Sequence, residues 1–228
     1  MESEYGFATR AIHAGQRPDP ETGARAMPIY ATTSFVFEDA AEAADLFALQ
    51  TFGNIYTRIG NPTTAAFEER MASLEGGLGA VATASGQAAQ AIAVLTLCSQ
   101  GDHIVAANNL YGGTFTQFDV TFRKMGIETT FVDPSDLDAV DAAITDRTKL
   151  VYGETIGNPR ADVLDIEGFA EVAHSHGIPL VIDNTFATPA LQQPLQLGAD
   201  LVVHSATKYL GGHSDVVAGF VATSDDEL

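Results

Sequence analysis

From Asn61 onward, short and nearly unbroken apolar runs alternate with helix-length segments. The runs lie at 80–83, 103–106, 129–132, 149–152, 179–182 and 201–203, with a last one at 217–222. They lack the in–out alternation of a half-solvated sheet. Strands apolar on both sides belong in a mostly parallel sheet with helices covering both faces, an α/β fold. Helices are expected over 64–74 (stopped by Gly76-Gly77), 87–97, 114–125, 136–144 and 167–175, with a short one before the 201–203 strand. Residues 1–60 read as irregular, broken by Pro18, Pro20, Gly23 and Pro28, with one acidic helical stretch at 38–50. The expected organisation is an arm over 1–60 and one domain over 61–228. Ser224-Asp225-Asp226-Glu227 spells a helix capping box with no helix behind it, which reads as a domain truncated at its end.

Composition narrows the function. With 30 acidic against 11 basic residues the formal charge is −19. A phosphate backbone or an anionic membrane surface needs basic patches, so nucleic acid and membrane are not expected partners. The charge itself has two readings, a salt-adapted cytoplasm or ordinary solubility. Cys98 is the only cysteine, in the apolar run 91–97 and its end, so it reads as a core filler in a reducing cytosol. The acidic start, Met1-Glu2-Ser3-Glu4, lacks the apolar core of a signal peptide, and no apolar run reaches membrane-spanning length. The expected localisation is cytoplasmic.

Lys208 carries the chemistry. Of three lysines it alone sits at the carboxyl end of an apolar strand, in Val202-Val203-His204-Ser205-Ala206-Thr207-Lys208-Tyr209-Leu210-Gly211-Gly212. Open α/β sheets bind ligands at that end. A lysine partly desolvated there has a lowered pKa and a nucleophilic amine, as pyridoxal phosphate (PLP) requires. PLP also needs an acid for its pyridine nitrogen and donors for its phosphate. Asp183 ends the Val181-Ile182 strand and could pair with that nitrogen; alone it is equally a turn or cap aspartate. Ser85-Gly86-Gln87 opens a helix whose amides could hold a phosphate; alone it is a helix cap. Tyr111, beside Gly112-Gly113, could stack on a ring or be a surface amphiphile. Asn158 could donate to a phenolate or substrate carboxylate, or simply form an Asn-Pro turn. Ser205 and Thr207 add hydroxyls flanking the lysine. Each signal is weak alone, but together they gather polar groups at the strand ends of one sheet. His174-Ser175-His176 has no carboxylate or cysteine at ligand spacing, so no metal is expected. Neither a G-x-G-x-x-G nor a P-loop pattern occurs, so a nucleotide cofactor lacks its mark.

On these residues the chain resembles the Cys/Met-metabolism family of PLP-dependent enzymes, of aspartate-aminotransferase-like fold. The likeness is carried by Tyr56-Thr57-Arg58-Ile59-Gly60-Asn61-Pro62-Thr63, Ser85-Gly86-Gln87, Tyr111-Gly112-Gly113-Thr114, Asp183-Asn184-Thr185 and Ser205-Ala206-Thr207-Lys208. Within the family the front half is most similar to the O-acetylhomoserine sulfhydrylases. The segment at 191–195 and Gly212-His213-Ser214-Asp215 look more like cystathionine γ-synthases and γ-lyases. The resemblance implies that Lys208 holds PLP as a Schiff base and shuttles protons, Tyr111 stacks on the ring, and Asp183 pairs with its nitrogen. It implies phosphate binding by Gly86, Gln87, Ser205 and Thr207, and Asn158 near the phenolate oxygen. It places Tyr56 and Arg58, on the arm, at the phosphate of a neighbouring subunit in a homodimer or homotetramer. It also implies a smaller C-terminal domain, absent from this chain. The implied reaction is γ-replacement on an activated homoserine ester by a sulfur nucleophile, with small amino-acid substrates. Sulfide would give homocysteine, cysteine would give cystathionine, and a γ-lyase is a further alternative. A PLP-binding fragment without turnover is the rival reading.

Overall fold

A computed structural model describes residues 5–227. The acidic residues 1–4 and residue 228 lie outside the described residues. The chain forms two compact units, Met1–Arg70 and Met71–Leu228.

The first unit holds helices α1 (Phe7–His13) and α2 (Ala40–Phe47) and most of α3 (Pro62–Glu75). Helix α1 lies in the stretch expected to be irregular. It is only seven residues long and buries none of them. Helix α2 starts where Asp39 accepts hydrogen bonds from the Ala41 and Glu42 amides at 2.8 and 2.9 Å. Asn61 sets the start of α3. Its Oδ1 accepts from the Thr63 amide at 2.9 Å, and its Nδ2 donates to the Tyr30 carbonyl at 2.9 Å. Pro62 then opens the helix, where its missing N–H costs nothing.

The second unit is built on a seven-stranded sheet: β1 (Gly79–Thr83), β2 (His103–Ala107), β3 (Glu128–Val132), β4 (Thr148–Glu154), β5 (Leu180–Asp183), β6 (Leu201–Ser205) and β7 (Gly219–Thr223). The strand order is β1-β7-β6-β5-β4-β2-β3. β3, β2, β4, β5 and β6 run parallel, while β7 runs antiparallel to both of its neighbours, β1 and β6.

Alternate residues of the apolar strands serve opposite faces. Ile104, Ala106, Leu150, Tyr152, Val181 and Val203 pack beneath helix α4 (Gly86–Leu97) and the segment after β2. Val105, Val151, Leu180, Ile182 and Val202 pack against α6 (Leu137–Ala143) and α7 (Ile166–Ser175), including the fully buried Phe169. Each fully buried side chain of this size contributes about 1.5–3 kcal/mol.

The helix expected over 114–125 is instead a short α5 (Gly112–Thr116) continuing as a π-helical stretch, Gln117–Phe122. That stretch buries Phe118 and Phe122, and Phe118 packs edge-on against Tyr152 with centroids 4.7 Å apart. After β5 come a single turn, α8 (Thr188–Leu191), and a 3-10 turn at Pro194–Leu197. The capping box at 224–227 does not form: those residues are not helical. The Glu227 amide bonds to the Asp225 carboxylate at 2.8 Å, and the Asp225 amide to the Thr223 hydroxyl at 3.0 Å. No helix among the described residues is long and apolar enough to cross a membrane.

Candidate active site

The parallel strands β4, β5 and β6 bring Glu154, Asp183 and Ser205 to their carboxyl ends. Glu154 and Asp183 are register partners across β4 and β5. All three continue the strand positions that face α4, so they belong to one side of the sheet.

Asp183 is held in a fixed orientation. Its Oδ2 accepts from Gln90 Nε2 at 3.0 Å and its Oδ1 from the Thr185 amide at 2.9 Å. Gln90 projects from the buried side of α4 and is itself fixed. It donates to Thr114 Oγ1 at 3.0 Å and accepts from Gln87 Nε2 at 3.0 Å. The Tyr152 hydroxyl is buried beside this group without a well-formed hydrogen bond. Its ionisation is pushed well up, by burial first and then by the Asp183 and Glu154 carboxylates. Glu154, also buried, accepts from the Tyr111 amide at 2.7 Å. Burial, and then Asp183, push its carboxyl up to about 8.

Helix α4 begins at this corner. Ser85 caps it, accepting from the Ala88 amide at 3.1 Å. The Gly86 and Gln87 amides have no protein acceptor among the described residues. Gly86 is there because of β6: a Cβ on it would stand 2.6 Å from Ser205 Cβ and 2.8 Å from Ser205 Cα. Its missing side chain thus lets the helix start press against the strand end, where the sequence suggested an approach to a phosphate. Ser205 in turn is anchored by its amide, which donates to Thr185 Oγ1 at 2.7 Å.

Thr207 lies in the same loop, but its hydroxyl has backbone partners. It donates to the Ala218 carbonyl at 3.2 Å and accepts from the Ala218 amide at 3.1 Å. This ties the lysine loop to the start of β7. Lys208 follows, its amide donating to the Ser205 carbonyl at 3.2 Å. Its side chain is exposed, not partly desolvated as expected. Tyr111 begins α5, half exposed, with its ring folded over Gly113; a Cβ there would meet the ring at 2.5 Å. Asn158 is exposed in the loop after β4, its amide donating to the Asn109 carbonyl at 2.9 Å. Within the first unit, the Arg58 guanidinium lies 5.2 Å above the Tyr56 ring.

Behind the site, on the opposite face of β6, lies a polar cluster that sequence reasoning missed. Glu75 Oε1, fully buried, bonds His204 Nε2 and accepts from Asn184 Nδ2 at 3.0 Å. Asn184 also accepts from Thr155 Oγ1 at 2.8 Å, and His204 stacks on Phe220. His174 and His176 diverge: one meets Asp200 at 2.9 Å and the other Asp141 at 2.7 Å. Among the described residues no group of three metal-ligating side chains gathers. A cavity of about 540 Å³ lies at the far, amino ends of β4 and β5, lined by Asp146, Lys149 and His176, away from the group around Asp183. Cys98 is buried, and burial pushes its thiol up to about 12, so it is inert.

Residues 8–228 match the family described as Cys/Met metabolism PLP-dependent enzyme. The chain belongs to that family. It is 53% identical over 221 residues to an O-acetyl-L-homoserine sulfhydrylase of Leptospira meyeri, covering 97% of this chain and 50% of the relative. It is 48% identical over 223 residues to a cystathionine gamma-synthase of Mycobacterium leprae, covering 98% of this chain and 56% of the relative. A solved structure from Campylobacter jejuni, which contains N′-pyridoxyl-lysine-5′-monophosphate, superimposes with a TM-score of 0.94 at 37% identity. That match covers 97% of this chain and 55% of the other. The chain thus spans about half the length of the curated relatives it matches. The sheet, with its helices on both faces, is the PLP-dependent transferase fold, and PLP is the cofactor of this family. The donor set suits that cofactor: an oriented carboxylate, a helix start with two free amides and a nearby hydroxyl.

Proposed function

We propose that this protein catalyses γ-replacement on an activated homoserine ester, O-acetylhomoserine, with sulfide as the nucleophile and homocysteine as the product. The reading is supported by the likeness to sulfhydrylases and by one structural observation above all: the Asp183 carboxylate, fixed by Gln90 and the Thr185 amide beside the start of α4. PLP, when bound, supplies an electron sink that makes the α and β protons of the substrate removable.

The roles of the residues follow from their chemistry. Lys208 would hold the cofactor covalently, and its Nζ would serve as the group that moves protons between the substrate carbons. Asp183 keeps the ring nitrogen protonated by offering it a fixed negative charge. Gly86, Gln87 and Ser205 bind the phosphate through amides and a hydroxyl, and Thr207 joins them by exchanging its Ala218 bond. Tyr111 covers the ring and Asn158 donates at its phenolate oxygen. Tyr56 and Arg58 reach the phosphate of a neighbouring subunit, which makes the working unit a homodimer or a pair of dimers.

The experiment is a product assay with O-acetylhomoserine and either sulfide or cysteine, on this chain alone and extended to the length of its relatives. Homocysteine formed faster than cystathionine supports the sulfhydrylase reading. Faster cystathionine would replace it with the γ-synthase reading, and elimination without a nucleophile with the γ-lyase. PLP binding without turnover in both forms would leave a cofactor-binding protein only.

A further inference from the structure

Glu154 is a buried carboxyl that nothing above uses for catalysis. It ends an apolar strand, is 7% exposed, and has no cationic partner among the described residues. Burying such a group is unfavourable unless a specific bond compensates. The compensation is the 2.7 Å bond from the Tyr111 amide. That amide opens α5, and the Tyr111 ring turns back over Gly113 in contact with the same turn. Glu154 also stands directly beside Asp183 as its register partner. The titratable groups facing it are Asp183 on β5, Tyr152 on β4 and Tyr111 itself. None of them carries a positive charge.

We propose that Glu154 is a positioning residue of the active site, fixing the Tyr111 backbone, and with it the ring that covers the cofactor, from a place beside Asp183. This rests on the reading that Tyr111 and Asp183 engage PLP. What the bond requires is an acceptor at that point, not a charge. Raised by burial and by Asp183, the carboxyl keeps its proton near neutral pH. The unprotonated oxygen of Glu154 still accepts from Tyr111. A glutamine, with its carbonyl oxygen, would serve the same bond.

The test uses the PLP-loaded chain and does not depend on turnover. Visible circular dichroism of the bound cofactor reports the chiral placement of groups around the ring, and equilibrium dialysis gives its dissociation constant. Glu154→Gln is expected to keep the wild-type band and affinity within about twofold. Glu154→Ala is expected to lose the band and weaken PLP binding about tenfold, the scale of one lost hydrogen bond to a charged or buried acceptor. Tyr111→Ala is expected to reproduce the same spectral change. If Tyr111→Ala alters the band and Glu154→Ala, folded by thermal melt, does not, the positioning role is overturned while the function stands. If neither alters it, the role of Tyr111 falls and the proposal with it. Should Glu154→Ala fail to fold, Glu154→Met, similar in volume but lacking an acceptor, answers the same question.

Discussion

Gly86→Ala separates two readings of the glycine at the start of α4. If its purpose is only to leave room for a ligand, alanine should stabilise the empty chain. Alanine is favoured over glycine in a helix by roughly 0.5–1 kcal/mol. Crowding against β6 opposes that gain and outweighs it. The new Cβ would stand 2.6 Å from Ser205 Cβ, 2.8 Å from Ser205 Cα and 3.1 Å from Ser205 N. Two of these are backbone atoms of a strand paired on both sides, and they cannot yield as a flexible side chain would. Overpacking of this kind costs roughly 1–3 kcal/mol. The net expectation is a loss of about 1–2 kcal/mol, a fall of roughly 2–8 °C in melting temperature for a unit of this size. Urea denaturation followed by far-ultraviolet circular dichroism measures it, and a PLP titration of the folded variant should show weaker binding because the helix start has shifted. Adding Ser205→Gly removes the 2.6 Å contact but not the 2.8 Å one, so it should recover only part of the melting temperature. A Gly86→Ala chain as stable as the parent, with unchanged PLP affinity, would refute the packing argument.

Three further outcomes follow from the site. Borohydride reduction of the PLP-loaded chain and peptide mapping should tag Lys208; a tag on Lys124 or Lys149 would refute its role. Asp183→Asn should retain PLP yet lose at least about a hundredfold in turnover in an active, extended form, because the ring nitrogen is no longer held protonated; near-normal turnover would count against the pairing. Glu154 gives a pH dependence with a definite sign. Its carboxyl is raised from 4.5 to about 8 in the fold, so between those values the folded chain keeps a proton that the unfolded chain has released. Stability should fall as pH rises through that window. Glu154→Gln should flatten the slope, as read by urea midpoints at pH 5, 7 and 9; an unchanged slope would refute the assignment.

The parallel core and its strand ends were legible in the sequence because period and position carry them. Strands buried on both faces must be apolar throughout, and a polar residue that ends such a run stands at the sheet's edge. So Asp183 and Ser205 fall where the apolar runs predict, and Lys208 lies just beyond one. Orientation was not legible: the run of β7 looks like the others, yet it enters antiparallel. Nor was partnership. Gln90 reads as one polar residue on an alanine-rich helix, and its link to Asp183 exists only once α4 lies on β5. Glu154 was visible as a carboxylate after a strand, but its burial depends on the turn that opens α5. Glu75 and His204 lie far apart in sequence and share no periodicity, so their contact is a product of the fold alone. The same holds for His174 and His176, whose aspartates come from other elements. Helix α1 and the π-helical stretch escaped for a local reason: one buries nothing, and the other differs from an α-helix by less than hydrophobic spacing resolves.

The antiparallel β7 also sets an order of events for a chain leaving the ribosome. Among the described residues β1 pairs with no strand but β7, and β7 follows the other six strands in sequence. Until residues 219–223 emerge, β1 has no strand to pair with, although α4 can already pack on β6. The parallel strands between β2 and β6 can assemble earlier among themselves. β1 therefore joins the sheet after the parallel strands, by a contact between residues far apart in sequence, and such long-range closure is slow. Pulse-labelled hydrogen exchange during refolding should show amides of β1 and β7 becoming protected together, after those of β4 and β5.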